Sequence, residues 1–221
     1  MKILLFFIVI LSNLACAQES NLVPERTYFD RAQSLLKSEG KIDKTTQKKE
    51  GVWKFYNREG ELVYTGSYKD DQKTGTWEYF DPFREKGEML NGKKEGIWKT
   101  YRNDGTLSSK AFYVNGLKEG KSESYFPNGS LLTQTNYVGN MLNGPQITYK
   151  KGGDTSLYVT YVNDKRNGLF KNYSSGLPYV IGNWKEGIGF VGEVYHYRNK
   201  KLVEVEFKDE NGKTVFRESK Y

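Results

Sequence analysis

The chain has 221 residues, with 34 basic against 27 acidic side chains and a formal net charge of +7. It combines 17 Tyr, 12 Phe and 4 Trp with 23 Gly and only 5 Pro. Aromatics suit a pleated, half-buried surface and Gly supplies positive φ, so this composition points away from helical bundles and toward short strands joined by tight turns. Charges of both signs are interspersed, which reads as a solvated surface rather than a field built for nucleic acid.

In chain order, the first 17 residues, MKILLFFIVILSNLACA, carry Lys2, an unbroken apolar run from Ile3 to Leu11 and small residues at Ala15 and Ala17. That is the pattern of a cleaved Sec signal peptide and predicts export to the periplasm or the cell exterior. Cleavage after Ala17 removes Cys16, the one cysteine, and leaves no disulfide, thiol nucleophile or cysteine metal ligand. A lipoprotein acylated at Cys16 is the alternative, and the only route to membrane contact. Residues 18–50 read as a degenerate capping repeat, with Ala32 where a turn Gly is expected, or as a short helix starting at Pro24.

From residue 51 an internal repeat organises the chain, and such a period decides the architecture. A Gly is followed five residues later by an aromatic at Gly51/Tyr56, Gly75/Phe80, Gly96/Tyr101, Gly120/Tyr125, Gly144/Tyr149, Gly168/Tyr173 and Gly192/Tyr197. The anchor spacings are 24, 21, 24, 24, 24 and 24. A second Gly at Gly60, Gly105, Gly129 and Gly153, as in RNDG and FPNG, marks a hairpin turn. The first strand of each unit is predicted from anchor to aromatic, the second over stretches such as ELVYTGSY that end at Tyr68, Tyr113, Tyr137 and Tyr161. A polar turn such as VNGLKEG then leads to the next anchor. The second unit is three residues short, so its tip must differ. Seven repeats thus span 51–207, and 208–221 forms a capping hairpin whose turn lies near Gly212. The fold class is all-β, an elongated single antiparallel sheet of tandem hairpins.

Gly-x-Trp-x-x-Tyr, then Gly-x-Leu, a closing Tyr and a Lys-rich turn is clearest in GVWKFYNREGEL and GIWKTYRNDGTL and weaker in GPQITYKKGGDT and GEVYHYRNKKLV. This pattern, over roughly residues 28 to 212, resembles the MORN-repeat variant found in bacterial proteins and in the YwqK-type antitoxin family. The resemblance implies an extended antiparallel sheet with a binding or scaffolding role, and an immunity or antitoxin role against a toxin as the alternative.

Few residues offer chemistry. GIGFVG, Gly187 to Gly192, fits a dinucleotide fingerprint, but that site needs a helix after the glycines and the strand-like EVYHYR follows. His196, the one histidine, has no nucleophile or second His to work with. Asp70 and Asp71, or Glu204 and Glu206, read as solvated charges rather than an acid–base pair. No catalytic residue, metal or cofactor is expected. Two stripes remain as candidates for contact. Two residues after the anchors stand Trp53, Trp77 and Trp98, followed by Ser122, Gln146, Phe170 and Val194. Two before the anchors stand Lys49, Lys73, Lys94, Lys118 and Arg166, interrupted by Leu142 and ended by Phe190. Either the indoles are packing rungs or they seat a partner, and either the cations form a solvated edge or they meet an anionic polymer. The expected partner is a protein or a cell-surface polymer, not a nucleic acid or nucleotide, and the protein is expected to be a monomer.

Overall fold

The computed structural model describes residues 21–174 and 177–220; the leader at 1–17, with Cys16, lies outside them. The described residues form strands and turns and no helix, the all-β architecture of tandem hairpins expected from the period. The chain divides into two compact units, Met1–Glu95 and Gly96–Tyr221.

In the first unit, β1 (Leu22–Tyr28), β2 (Leu36–Asp43), β3 (Lys49–Tyr56), β4 (Leu62–Lys69), β5 (Gln72–Tyr79) and β6 (Arg84–Leu90) each pair antiparallel with the next. The boundary falls within β7 (Lys93–Tyr101). The second unit continues through β8 (Leu107–Val114), β9 (Leu117–Tyr125), β10 (Leu131–Val138), β11 (Met141–Tyr149) and β12 (Thr155–Val162). It ends with β13 (Lys165–Ser174), β14 (Leu177–Lys185), β15 (Gly189–Arg198), β16 (Lys201–Lys208) and β17 (Thr214–Ser219). These strands also pair antiparallel with their successors, from β7–β8 to β16–β17.

Two kinds of turn alternate. Within a repeat, Asn57 N–H donates to the Glu61 carbonyl at 2.9 Å and Gly60 N–H to the Asn57 carbonyl at 3.2 Å, with Gly60 at φ +83°. The same pair of bonds recurs at Arg102–Thr106, Phe126–Ser130, Lys150–Asp154 and Asp209–Lys213. A left-handed residue closing such a loop is what the Asn/Asp-x-Gly signature demands. Between repeats the strands are joined by two left-handed residues, as at Asp70 and Asp71 or Asn163 and Asp164. Two positive φ values in succession match the right-handed twist of the flanking strands.

The anchors are not turn residues. Gly51, Gly75, Gly96, Gly120, Gly144, Gly168 and Gly192 lie inside strands β3, β5, β7, β9, β11, β13 and β15, at φ between +63° and +101°. The strand starts before the anchor because the left-handed Gly sits in a bulge rather than at an end. On β8 and β9 the register runs from Ala111↔Ser122 to Tyr113↔Lys118, so that three residues of β9 oppose Phe112. The bulge bends and twists the strand at each repeat.

The aromatics paired with these anchors end their strands as expected at Tyr56, Tyr101, Tyr125 and Tyr149, but not at Phe80, Tyr173 and Tyr197. Phe80 falls one residue beyond β5, which stops at Tyr79. Its N–H still donates to the Val63 carbonyl of β4 at 2.8 Å, and Arg84 lies over its ring, but Asp81 and Pro82 turn the chain away before β6 begins. Proline has no N–H with which to prolong the ladder. Tyr173 and Tyr197 err the other way. Each is the last residue but one of its strand, opposite Pro178 and Leu202, and pairing goes on one step to Ser174↔Leu177 and Arg198↔Lys201. After Arg198 two left-handed residues, Asn199 and Lys200, close the hairpin where the other tips use a longer Gly loop, so the ladder can extend further. All three rings are half-buried, as are those of the four strand-ending tyrosines.

The short second unit has its own explanation. β5 and β6 pair without a register shift from Gly75↔Met89 to Tyr79↔Glu85, and the tip lacks both the Gly and the bulge residue of the other hairpins. At the N-terminus the helix alternative is overturned. Residues Leu22–Tyr28 are strand, and the loop to β2 is held by Asp30, whose carboxylate accepts from Ser34 and Leu35 N–H at 3.1 and 2.9 Å. The left-handed residue there is Gln33, not Ala32.

Candidate interaction surface

Alternation along β3 to β5 puts Trp53, Phe55, Tyr64, Tyr68, Trp77 and Tyr79 on one face of the first unit, where the rings contact each other. Phe55 stacks on Tyr64 at 4.4 Å between centroids, and Tyr68 meets Trp77 edge-on at 5.2 Å. Each such pair adds about 0.5–1.5 kcal/mol beyond its area. The three indoles are covered: Trp53, Trp77 and Trp98 are 1%, 0% and 2% exposed. The possibility that they seat a partner's side chains is therefore corrected, since no indole face is open to one. Trp53 Nε1–H donates to the Lys41 carbonyl at 3.0 Å and Trp77 Nε1–H to that of Ser67 at 3.1 Å.

A single sheet has no second layer to bury an indole, so neighbouring strands must supply the room. Trp53 pairs with Gly66, and Gly66 also pairs with Trp77, whose other partner is Gly87. A Cβ on Gly66 would fall 2.2 Å from the Trp77 ring, and one on Gly40 would fall 2.3 Å from that of Trp53. In the second unit the same row shrinks and fills: Ser122 pairs with Ala111 and Thr135, Gln146 with Thr135 and Val159, and Phe170 with Val159 and Gly182. Large against small is clearest at the indoles, which face Gly66, Gly87 and Ala111.

The basic row is also redirected. Lys73 Nζ lies 4.2 Å from the Trp77 centroid, with Tyr64 and Tyr79 at 5.4 and 5.3 Å, and donates to Tyr79 Oη at 3.0 Å. Burial pushes the Lys73 ammonium below its usual range and raises the Tyr68 phenol to about 12. Lys49 lies over Trp53 and Tyr68, Lys118 over Tyr137 at 5.1 Å, and Lys94 pairs with Glu85 at 2.6 Å. These cations cap aromatic rings or join a carboxylate, contacts that strengthen when partly desolvated. They do not form the bare charged edge that either sequence-based alternative assumed.

Sequence reasoning missed what the neighbouring acids and turn residues do. Glu50 Oε1 accepts the N–H of Asp70, and Glu119 Oε2 that of Gly139, in the turn one repeat on. In return Asp71, Asn140 and Asp164 use a side-chain oxygen to accept the N–H of Lys49, Lys118 and Leu142 at 2.7–2.8 Å. The N–H groups of those same three turn residues donate to the carbonyls of Lys49, Lys118 and Leu142. These three turns are thus clasped to the repeat before them. The signal was present as the Asp or Asn in KDD, VGN and VND.

Glu206 corrects a second expectation: it is buried, not solvated. It occupies the row that holds Trp in the first unit, paired with Val194 and Arg217. Arg217 approaches Oε1 at 2.6 Å, while Lys208 and His196 approach Oε2 at 3.2 and 3.6 Å. Donor atoms of His196, Glu204 and Glu206 come within 4.8 Å of one another, but a divalent ion would have to displace two cations from Glu206. Burial works against the charged form of Glu206, yet Lys208, Arg217 and His196 outweigh it and the carboxyl titrates below its ordinary value. Stability from this group is complete above the ordinary carboxylate range and is lost as pH falls through the lowered folded value. Denaturant midpoints between about pH 3 and pH 7 are therefore expected to fall less steeply on the acid side in Glu206→Gln than in the parent. An identical slope would show that the hub does not titrate as described.

GIGFVG runs from a turn into β15, with no helix after it. On the face away from the Trp row the second unit carries exposed apolar side chains: Ile97 opposite Phe112, Val114 opposite Leu117, Val138 opposite Met141, and Val162. All but Ile97 and Phe112 flank the two-residue turns. The sequence held this signal too, since alternation sends Val114, Val138 and Val162 to the face opposite Tyr113, Tyr137 and Tyr161. No curated protein matches the chain. Three stretches, residues 49–70, 94–115 and 118–138, match the family model described as MORN repeat variant; the match is to the repeat and carries no antitoxin assignment.

Proposed function

We propose that the protein is a non-enzymatic, exported binding module, and that its partner is another protein docked on the exposed apolar stripe of the second unit. The observation that carries this reading is the stripe itself. Ile97, Phe112, Val114, Leu117, Val138, Met141 and Val162 are all exposed on one face. Soluble proteins seldom leave so many apolar side chains together in water without a partner for them. The repeat match supports a binding role, and the apolar run at 3–11 followed by Ala-Cys-Ala supports export. The lone imidazole faces a carboxylate already shared by two cations, which leaves it poorly placed as a general base.

Affinity capture with the exported protein is expected to recover a partner that a Leu117→Asp, Val138→Asp double variant fails to hold, with at least a tenfold loss in affinity from about 1.4 kcal/mol. Both side chains are exposed, so the variant keeps its β-sheet circular dichroism. Equal capture by both proteins would refute the stripe as the docking surface. Recovery of a toxin as the partner would favour the immunity alternative.

A further inference from the structure

The two outermost strands differ in how they treat their free sides. β1 pairs only with β2 among the described strands and carries Pro24 in its middle, which removes an N–H and blocks further pairing. β17 pairs only with β16 among the described strands, and its sequence TVFRES has no Pro. Val215 and Phe216 on it are 64% and 56% exposed. A strand edge left unpaired, here with two exposed apolar side chains, is a template for another strand.

We propose that β17 pairs with β17 of a second copy of this chain, forming a two-fold homodimer by edge-to-edge extension of the sheet. The hydrogen-bond pattern shows which backbone groups face outward, and side-chain chemistry then chooses the register. Lys220 N–H donates to the Val203 carbonyl on β16, so alternation turns the backbone N–H and C=O of Arg217 and Ser219 outward. A two-fold axis normal to the sheet sets a residue of β17 opposite its own copy. Centring it on Arg217 would oppose like charges, and centring it on Glu218 would do the same. Centring it on Phe216 opposes two phenyl rings at a non-hydrogen-bonded position, where side chains come closest. That register also sets Thr214 opposite Glu218 of the second copy and Val215 opposite its Arg217. Phe216 already contacts Phe207 of β16 at 5.5 Å between centroids, so the dimer completes a row of four rings. The occupant is a second copy because the strand complements itself. This departs from the monomer expected from the sequence, and it does not involve the apolar stripe.

Sedimentation of the full chain over a range of concentrations is expected to show a monomer–dimer equilibrium. Phe216→Lys, which opposes two ammonium groups, is expected to weaken it by about thirtyfold or more. Phe216→Asp is expected to do the same, and a mixture of the two variants to dimerise again. In a Cys16→Ser background, Phe216→Cys is expected to form a disulfide-linked dimer on oxidation and Phe207→Cys is not, because Phe207 faces β17 of its own chain. A parent that stays monomeric at high concentration would overturn the proposal. So would a dimer that Phe216→Lys and Phe216→Asp leave intact, or crosslinking that is equal at the two cysteine positions.

Discussion

Gly66→Ala is expected to lower the stability of the first unit by about 3 kcal/mol, the upper end of what an added methylene costs in a packed site. A Gly to Ala change where the backbone permits Ala ordinarily stabilises by about 0.4–1 kcal/mol through the unfolded chain. Gly66 has no positive φ, so backbone strain is not the cause of the loss. The cause is the Trp77 ring, three of whose atoms lie 2.2–2.5 Å from where the Cβ would be. The indole cannot swing aside cheaply, because Nε1 is bonded to the Ser67 and Thr74 carbonyls and Tyr68 meets its ring edge-on. Gly152→Ala is the control, with no positive φ and no atom within 4 Å of its Cβ, and it should be neutral or slightly stabilising. Urea midpoints that rank the two variants equally would contradict the assignment of Gly66 as the floor of the indole.

Trp77→Ala is expected to cost more, about 3–5 kcal/mol, since it removes a fully buried indole and leaves a hollow that rigid strands fill poorly. The loss should extend to the rings that lean on it: Tyr64 and Tyr79 lie 6.2 and 6.0 Å away, and Lys73 loses the face it covers. The two substitutions should not add. With the indole gone, Gly66→Ala meets nothing, and the coupling in a double-mutant cycle should recover most of its single cost. Simple additivity would mean that the clash and the cavity are separate sites, against the geometry.

These expectations explain why the sequence disclosed the architecture more readily than the surface. Period and turn chemistry are local, and the Gly-to-aromatic step and RNDG or FPNG tips carried the hairpins and most of their limits. Strand ends slipped by one residue at Phe80, Tyr173 and Tyr197, the three repeats whose tips depart from that chemistry. The first strands were expected to begin at the anchors, but they begin before them, because a left-handed Gly has the same signature at a strand's start and in a bulge. Trp53 and Trp77 could not be assigned as open or covered from their own repeats, since the space they fill is made by Gly40 and Gly66 on neighbouring strands. Glu206 looked solvated because its own strand alternates apolar and charged residues, while Arg217 and His196, which join Lys208 around it, lie on β17 and β15. Only cross-strand register joins them.

The clasp between the turns at Asp71, Asn140 and Asp164 and the preceding repeats has a consequence for how such a chain diversifies. It engages the backbone N–H and C=O of Lys49, Lys118 and Leu142 and leaves their side chains out of the bonds. The positions are therefore held in register by atoms that every residue except proline possesses. Lys can give way to Leu142, as it has here, without loosening the joint. Inheritance of the scaffold and choice of what it displays are thereby uncoupled, so duplication can copy the joint while point changes rewrite the row.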